Sequence, residues 1–311
     1  MSAVDGRRLV HGIVAHIKAL EMSSCRVIAY CEGRTDRGFY DRVLDGVFGD
    51  RVKYQVRSVD ELGGGGKEAL TKFRKELSDA DKLLMCFGGL TKAVVVFLDA
   101  DFDTVNSACL LCRHTIYTKW HCLENYLFRE GDVHACVAMA GDVSLASVRE
   151  LVGDVAIWRA QAAMRWRDWV AQALFASRFK CGCASPRVSE INVHTFGEVD
   201  ADKRDAYWAH LMAASGVDDG ERSKVEIAVG EAYSGGRWDM LFSGKLYVMW
   251  LCNSLKALGM WRQEFSRRLT AHLVQSLPQN GEWVLYYRDA LKAIEELVMT
   301  GDSRSAEFKP F

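Results

Sequence analysis

The chain has 311 residues, enough for one large domain or two ordinary ones, and its 49% hydrophobic and 26% charged residues are typical of a globular protein. A formal net charge of -1 excludes a basic field over the whole chain, so binding of nucleic acid would need a local basic surface or bound metal ions. The first residues lack a signal-peptide pattern, no window approaches a membrane span, and the ten cysteines are scattered through the chain, many of them in apolar runs. These features predict a cytoplasmic protein with reduced thiols and no membrane partner.

Strands and helices alternate along the first 130 residues. The amphipathic spacing of residues 5–20 predicts a helix, and Thr35 is the expected N-cap of the next one. β-branched and aromatic runs predict strands over 25–33, 51–59, 92–101 and 113–120, and helical spacing predicts helices over 35–48, 67–80 and 121–128. This alternation is typical of an α/β fold with a mainly parallel sheet flanked by helices.

The rest of the chain has a helical pattern instead. Helices are expected within 145–180, within 243–277 with a break near Gly259, and over 282–301. Residues 179–208 are expected to be irregular, with some helix returning toward the end of that segment. The chain is therefore predicted to consist of an α/β domain over 1–130, including the N-terminal helix, and a mostly helical domain over 131–311.

Acidic residues lie at the carboxyl ends of two of the predicted strands. Glu32 and Gly33 end the first, and Asp99, Asp101 and Asp103 lie at the end of the third. In parallel sheets, ligands bind outside the carboxyl ends of the strands. Either the acids only meet water at a strand end, or a cation belongs there, because clustered carboxylates repel one another and their oxygens are ligands suited to Mg²⁺ or Mn²⁺. The presence of acids after two separate strands favours the metal site.

Four segments, "CRVIAYCEGRTDRGFY", "GGGGKEAL", "VVVFLDADFD" and "YTKWHCLENYLF", occur in the order expected of a Toprim-type domain. The Toprim hallmark is Glu-Gly after the first strand and Asp-x-Asp after a later one. Over roughly residues 24–130 the chain resembles the Toprim-related DUF4435 family, kin to the nuclease domain of OLD-family (overcoming lysogenization defect) proteins. In that family a Gly-rich turn with Lys lies between the acidic motifs, and a Thr-x-x-His-x-x-Glu-Asn segment follows. Here its residues would be Thr118, His121, Glu124 and Asn125.

The resemblance implies a Mg²⁺-dependent (or Mn²⁺-dependent) nuclease that cleaves phosphodiester bonds in DNA or RNA. Some relatives serve in antiphage defence beside an ATPase, which implies a similar effector role and an ATPase partner here. The catalytic residues implied are Glu32, Lys67, Asp99, Asp101, His121 and Glu124. The metal ligands would be drawn from Glu32, Asp36, Asp99, Asp101 and Asp103.

Two of these residues have an equally plain structural interpretation. Lys67 follows a Gly-rich turn at a helix start, where backbone N–H groups favour an anion, but it also fits an ordinary solvated lysine. His121 fits proton transfer or phosphate binding, and it equally fits a structural histidine. Neither Gly66-Lys67 nor Gly244-Lys245 continues with Ser or Thr, so the chain is expected to lack a P-loop of its own.

An alternative of a different class is a non-catalytic subunit that binds or senses nucleic acid and associates with an ATPase. The completeness of the acid set favours catalysis over this alternative. The apolar C-terminal helices can supply an interface for a homo-oligomer.

Two further patterns favour structural roles. Cys109 and Cys112 have zinc-ligand spacing, but no second close pair completes a site, so thiols without metal are expected. The Trp and Arg residues of 158–180 are expected to be mainly core and solvated helix face, with a role in gripping nucleic acid as the alternative.

Overall fold

A computed structural model of the chain describes residues 13–62, 65–110, 112–179 and 198–300. These residues form two compact units. The sheet unit comprises the described parts of Met1–Leu98, Leu110–Tyr117 and Gln279–Phe311, and the helical unit comprises those of Asp99–Cys109 and Thr118–Pro278. Neither unit is continuous along the chain, whereas the sequence analysis placed a single boundary after residue 130.

The sheet confirms the predicted α/β class. Its strands are β1 (Val27–Cys31), β2 (Tyr54–Ser58), β3 (Leu84–Phe87), β4 (Leu90–Leu98) and β5 (Thr115–Tyr117). The order is β2-β1-β4-β3, and β5 also pairs with β4. β1 is parallel to β2 and β4, and β4 is parallel to β5. All of β1 and the last seven residues of β4 are buried, as expected for central strands rich in Val and aromatic residues with helices on both faces.

The helices, numbered in chain order, are α1 (Ile13–Met22), α2 (Arg37–Phe48), α3 (Gly66–Asp79), α4 (Leu123–Glu130), α5 (Val133–Gly141), α6 (Leu145–Val152), α7 (Val155–Arg165), α8 (Arg167–Phe179), α9 (Ala201–Ser215), α10 (Asp219–Ser234), α11 (Lys245–Ala257), α12 (Phe265–Ser276) and α13 (Glu282–Thr300). The predicted break near Gly259 is confirmed, since it lies between α11 and α12. Residues 5–12 of the predicted first helix lie outside the described residues, and so does most of the segment expected to be irregular. Along the described ranges, no helix combines the length and apolar character needed to cross a membrane.

Aromatic packing covers the sheet on both faces. On one face, α2 and α13 contact β4, where the Tyr40 ring stacks on Phe97 with centroids 4.2 Å apart and Tyr287 lies edge-on to both rings. In the core cluster with α3, Phe73 packs edge-on against Tyr30 of β1 at 4.8 Å. Each buried aromatic side chain contributes roughly 1.5–3 kcal/mol of transfer free energy. The return of the chain as α13 is therefore part of the sheet unit's own core.

One local expectation was wrong, and one element was missed. Asp36, not Thr35, occupies the N-cap of α2, and its carboxylate bonds to the preceding turn instead of the helix. The hairpin of β3 and β4 was not predicted, although Gly88 and Gly89 form its turn with φ values of 60° and 75°. Positive φ at both central residues is what a two-residue hairpin turn requires, and Gly-Gly supplies it without steric cost.

A buried histidine makes the stability of the sheet unit depend on pH. The His114 ring is 4% exposed, its Nδ1 bonds to the Val94 carbonyl oxygen at 2.8 Å, and burial, aided by the charges of Arg113 and Arg74, lowers its pKa from 6.5 to about 4. Between pH 6.5 and about pH 4, His114 is therefore protonated in the unfolded chain but neutral in the folded chain. The free energy of unfolding consequently falls as the pH drops through this window.

The expected loss from this single group between pH 7 and pH 5 is about 2 kcal/mol. Urea unfolding of the wild type and of His114→Gln at both pH values measures it, because the variant cannot titrate there. The difference in unfolding free energy between the wild type and His114→Gln should change by that amount between the two pH values. The control is His210→Gln at an exposed position, for which this difference should not change. An unchanged difference for His114→Gln would mean that the ring is protonated in the folded protein.

Candidate functional site

Acidic residues directly follow the two central parallel strands. Glu32 comes immediately after β1, and Asp99 comes immediately after β4. The two strands are hydrogen-bonded neighbours with Tyr30 opposite Val96, so both end at the same edge of the sheet. As predicted, two neighbouring parallel strands end at one edge of the sheet, and each is followed by an acidic residue.

The turn that carries Glu32 is held by its own side chains. The Cys31 thiol donates to the Gly33 carbonyl oxygen at 3.3 Å, and burial raises the pKa of Cys31, so the thiol keeps its proton. The Asp36 carboxylate accepts from the Gly33 N–H at 2.9 Å and from the Thr35 hydroxyl at 3.0 Å. Asp36 therefore shapes the turn, and its predicted role as a metal ligand stays a prediction.

Lys67 lies in the first turn of α3, as predicted. Its Nζ lies 5.7 Å from the centroid of the Tyr117 ring, a cation–π contact within the sheet unit. The preceding Gly66 has φ 72°, a conformation that favours glycine. The predicted contact of Lys67 with a phosphate stays a prediction.

The turn begins at Asp101 and includes Asp103, whereas a strand was expected to continue to residue 101. The Ala100 N–H donates to the Thr118 hydroxyl oxygen at 2.8 Å, and the Asp101 N–H donates to the His121 carbonyl oxygen at 2.7 Å. Asp101 adopts a left-handed backbone with φ 45°, which aspartate tolerates better than most residues. The segment before α4 therefore determines the conformation of the acidic turn.

The carboxylate of Asp99 contacts a backbone N–H and an ammonium within the helical unit. Its Oδ1 accepts from the Leu123 N–H at 3.2 Å, at the start of α4, and its Oδ2 lies 3.5 Å from Nζ of Lys245. The Asp99 side chain is 14% exposed, whereas that of Asp101 is 41% exposed. Asp99 is thus the better shielded acid, and Asp101 is the one that faces solvent.

Lys245 was not among the predicted site residues. It is the first residue of α11, and the sequence signal for it was a Gly-Lys pair before a helical run. Desolvation lowers the pKa of Lys245, but the negative charges of Glu124 and Asp99, with smaller contributions from Cys122 and Asp101, outweigh it and raise the pKa overall. The side chain is therefore a permanent ammonium beside the acids.

His121 and Glu124 lie on the same segment. The His121 ring is buried edge-on against Phe102, with its Nδ1 3.8 Å from Oδ1 of Asp101. The backbone N–H of His121 donates to the Asp239 carbonyl oxygen at 2.8 Å. In the part of the chain that the structure describes, Oε2 of Glu124 is buried and has no hydrogen-bond partner. Burying an unsatisfied carboxylate oxygen is costly, so this oxygen of Glu124 is suited to bind a hydrogen-bond donor or a cation.

Asn125 joins the start of α4 to the start of α11. Its Oδ1 accepts from the Cys122 N–H at 3.2 Å and the Gly244 N–H at 3.1 Å, and its Nδ2 donates to Oδ1 of Asp239 and to the Phe242 carbonyl oxygen, both at 3.0 Å. A Cβ at Gly244 would lie 2.6 Å from the Asn125 backbone nitrogen, so only glycine permits this approach. These contacts place Lys245 beside Glu124.

Asp239 is a buried charge that the sequence analysis did not find. Its side chain is fully buried, and its Oδ2 accepts from Arg129 at 2.8 Å and from Arg159. Tyr247 donates to Oδ1 at 3.4 Å. Because its partners lie on α4, α7 and α11, Asp239 ties together the helices that carry the site.

Aromatic side chains of α7 and α11 pack as core. Trp158 stacks on Trp250 with centroids 5.2 Å apart, Trp166 is fully buried, and Arg159 pairs with Asp239. These contacts agree with the expectation that the Trp residues here are mainly core, whereas Arg159, expected on a solvated helix face, is buried and paired. Cys109 and Cys112 are free thiols.

The donor atoms of the helical unit suit a hard cation, although they do not form a closed site. Asp99, Asp101 and Glu124 offer carboxylate oxygens, and one oxygen of Glu124 is unsatisfied among the described residues. Within residues 13–62, 65–110, 112–179 and 198–300, no three His, Cys, Asp or Glu side chains are arranged to hold a metal ion. Mg²⁺ commonly takes one or two protein carboxylates and completes its shell with water and phosphate, so the donor chemistry fits.

No protein-family model matches the chain, and a search of curated proteins found none with significant similarity. The functional conclusion therefore depends on the geometry and on the resemblance of the motifs.

Proposed function

We propose that the chain is a metal-dependent nuclease that hydrolyses phosphodiester bonds in DNA or RNA. The observation that carries the proposal is the pairing of β1 with β4, because Glu32 and Asp99 directly follow these parallel neighbours. A solvated strand end explains one such acid, but it does not explain why Asp99 is 14% exposed and contacts both an ammonium and a helix N-terminus.

Asp99 and Asp101 are the proposed metal ligands, and the resemblance adds Glu32. A bound Mg²⁺ or Mn²⁺ would polarise the phosphoryl oxygens and lower the pKa of a water molecule. Lys245 would bind a phosphate oxygen, since its ammonium is charged at every relevant pH and lies at a helix N-terminus. Glu124 would accept a proton at Oε2, the buried oxygen without a hydrogen-bond partner among the described residues. The resemblance also adds His121, whose Nδ1 lies 3.8 Å from Oδ1 of Asp101.

The contact between Lys245 and Asp99 favours a second candidate. An ammonium 3.5 Å from the carboxylate can neutralise it without metal, as in a subunit that binds nucleic acid but does not cut it. The resemblance supports an ATPase partner, and a role in antiphage defence, for either candidate. The completeness of the acid set still favours the nuclease.

A cleavage panel separates the two candidates. The full chain is incubated with single-stranded and duplex DNA and RNA in Mg²⁺, in Mn²⁺ and in EDTA. We expect cleavage of at least one substrate in metal, none in EDTA, and loss of cleavage in Glu32→Gln. Glu61→Gln is the matched control, because Glu61 is an exposed acid of the sheet unit that pairs with Arg37 at 3.3 Å. Intact substrates in every metal condition would favour the non-catalytic candidate.

A further inference from the structure

An aromatic ring flanked by two cations lies beside the acidic turn in the helical unit. Trp120 directly precedes His121 and is partly exposed. The Lys119 ammonium lies 4.8 Å from the centroid of its ring, and the Arg129 guanidinium carbon lies 4.3 Å from it. Both distances are within the range of cation–π attraction.

The backbone around Trp120 is fixed by side-chain hydrogen bonds. The Thr118 hydroxyl donates to the Trp120 carbonyl oxygen at 2.6 Å and accepts the Ala100 N–H at 2.8 Å. The Lys119 N–H donates to the Tyr126 hydroxyl oxygen at 2.7 Å. One threonine side chain thus connects the Trp120 carbonyl to the backbone N–H of Ala100, the residue between Asp99 and Asp101.

We infer that Trp120 is a stacking surface for an unpaired base of the nucleic acid, with Lys119 contacting the adjacent phosphate. The inference rests on the proposed function. It narrows the substrates of the proposed nuclease to single-stranded DNA or RNA, in which the bases are unpaired. Stacking on an aromatic ring is tolerant of sequence because every base has a π face, whereas the bases of an intact duplex are already stacked on one another. Lys119 has a flexible stem and can move from the ring to a phosphate.

A purely structural role for Trp120 makes a different prediction. Arg129 pairs with the buried Asp239 at 2.8 Å, so the ring also covers part of a buried ion pair. If that were its whole role, its loss would lower stability but would not change the preference between single strands and duplexes. Trp120→Phe separates the roles further, because phenylalanine keeps an aromatic face for a base.

The test is fluorescence anisotropy with labelled single-stranded and duplex oligonucleotides in EDTA, where binding is measured without cleavage. Trp120→Leu is expected to weaken single-strand binding about tenfold and duplex binding less than twofold, and Trp120→Phe to retain most of the affinity. Trp261→Leu is the matched control, because Trp261 is 42% exposed and lies 5.2 Å from the Lys256 ammonium, yet it is remote in sequence from the acidic turn. Its affinity should equal that of the wild type.

Three results would overturn the inference: no single-strand binding by the wild type, an unchanged single-strand affinity in Trp120→Leu, or an equal loss for single strands and duplexes. Selective binding by a wild-type protein that leaves every substrate intact would instead uphold the stacking surface and reject the nuclease.

Discussion

Replacement of Asp239 by asparagine is expected to lower the melting temperature of the protein by about 6–20 °C. Asp239 is fully buried and accepts hydrogen bonds from two arginines, and Arg159 is itself 7% exposed. Removing the carboxylate leaves that guanidinium buried without its counter-charge, at a cost of about 3–5 kcal/mol. In a unit of this size each kcal/mol corresponds to roughly 2–4 °C.

Asp205→Asn is the matched control for this prediction. Asp205 pairs with Arg204 at 2.8 Å, but its side chain is 63% exposed, and exposed ion pairs contribute about 0–1 kcal/mol. Differential scanning calorimetry of both variants measures the contrast. Equal shifts in the two proteins would show that the buried cluster around Asp239 does not hold the helical unit together.

Replacement of Asp99 by asparagine is expected to reduce cleavage at least about 100-fold, comparable with the removal of one preorganised charge from an active site. The amide keeps an oxygen that can accept from the Leu123 N–H, so the start of α4 should remain in place. The charge that faces Lys245 is lost. Initial cleavage rates in Mg²⁺, with circular dichroism as the check on folding, measure the effect.

Asp103→Asn provides the comparison within the same segment. Asp103 lies in the turn, where its N–H donates to the Ala100 carbonyl oxygen at 2.8 Å, and it is not among the metal ligands proposed above. We expect this variant to retain most of the activity. Similar losses in Asp99→Asn and Asp103→Asn would indicate a general effect of negative charge instead of a specific role for Asp99.

The elements that were predictable from the sequence are those with strong local patterns. Runs of Val and aromatic residues marked β1 and β4, and helical spacing marked α3 and α13. The hairpin of β3 and β4 was not predicted, because β3 has only four residues and only Met85 among them is buried, although Gly88-Gly89 is a strong hairpin pattern.

The site was predictable only in part, for a physical reason. Glu32 and Asp99 could be placed because they directly follow strands, and the order of parallel strand ends constrains them. Lys245 and Asp239 reach the site through contacts with residues more than 100 positions earlier in the chain, such as Asp99 and Asn125. No local pattern encodes such contacts, so these residues emerged only from the fold.

The most direct test of the central claim, that the acids at these strand ends bind a catalytic divalent metal, is a Mn²⁺ titration followed by electron paramagnetic resonance. It is performed on the wild type and on the Asp99→Asn, Asp101→Asn double variant, with a non-cleavable phosphorothioate oligonucleotide present to complete the metal's shell. We predict saturable Mn²⁺ binding to the wild type that the double variant loses. Equal Mn²⁺ binding by both proteins, or none by the wild type, would contradict the claim and leave the Lys245 ammonium to neutralise Asp99.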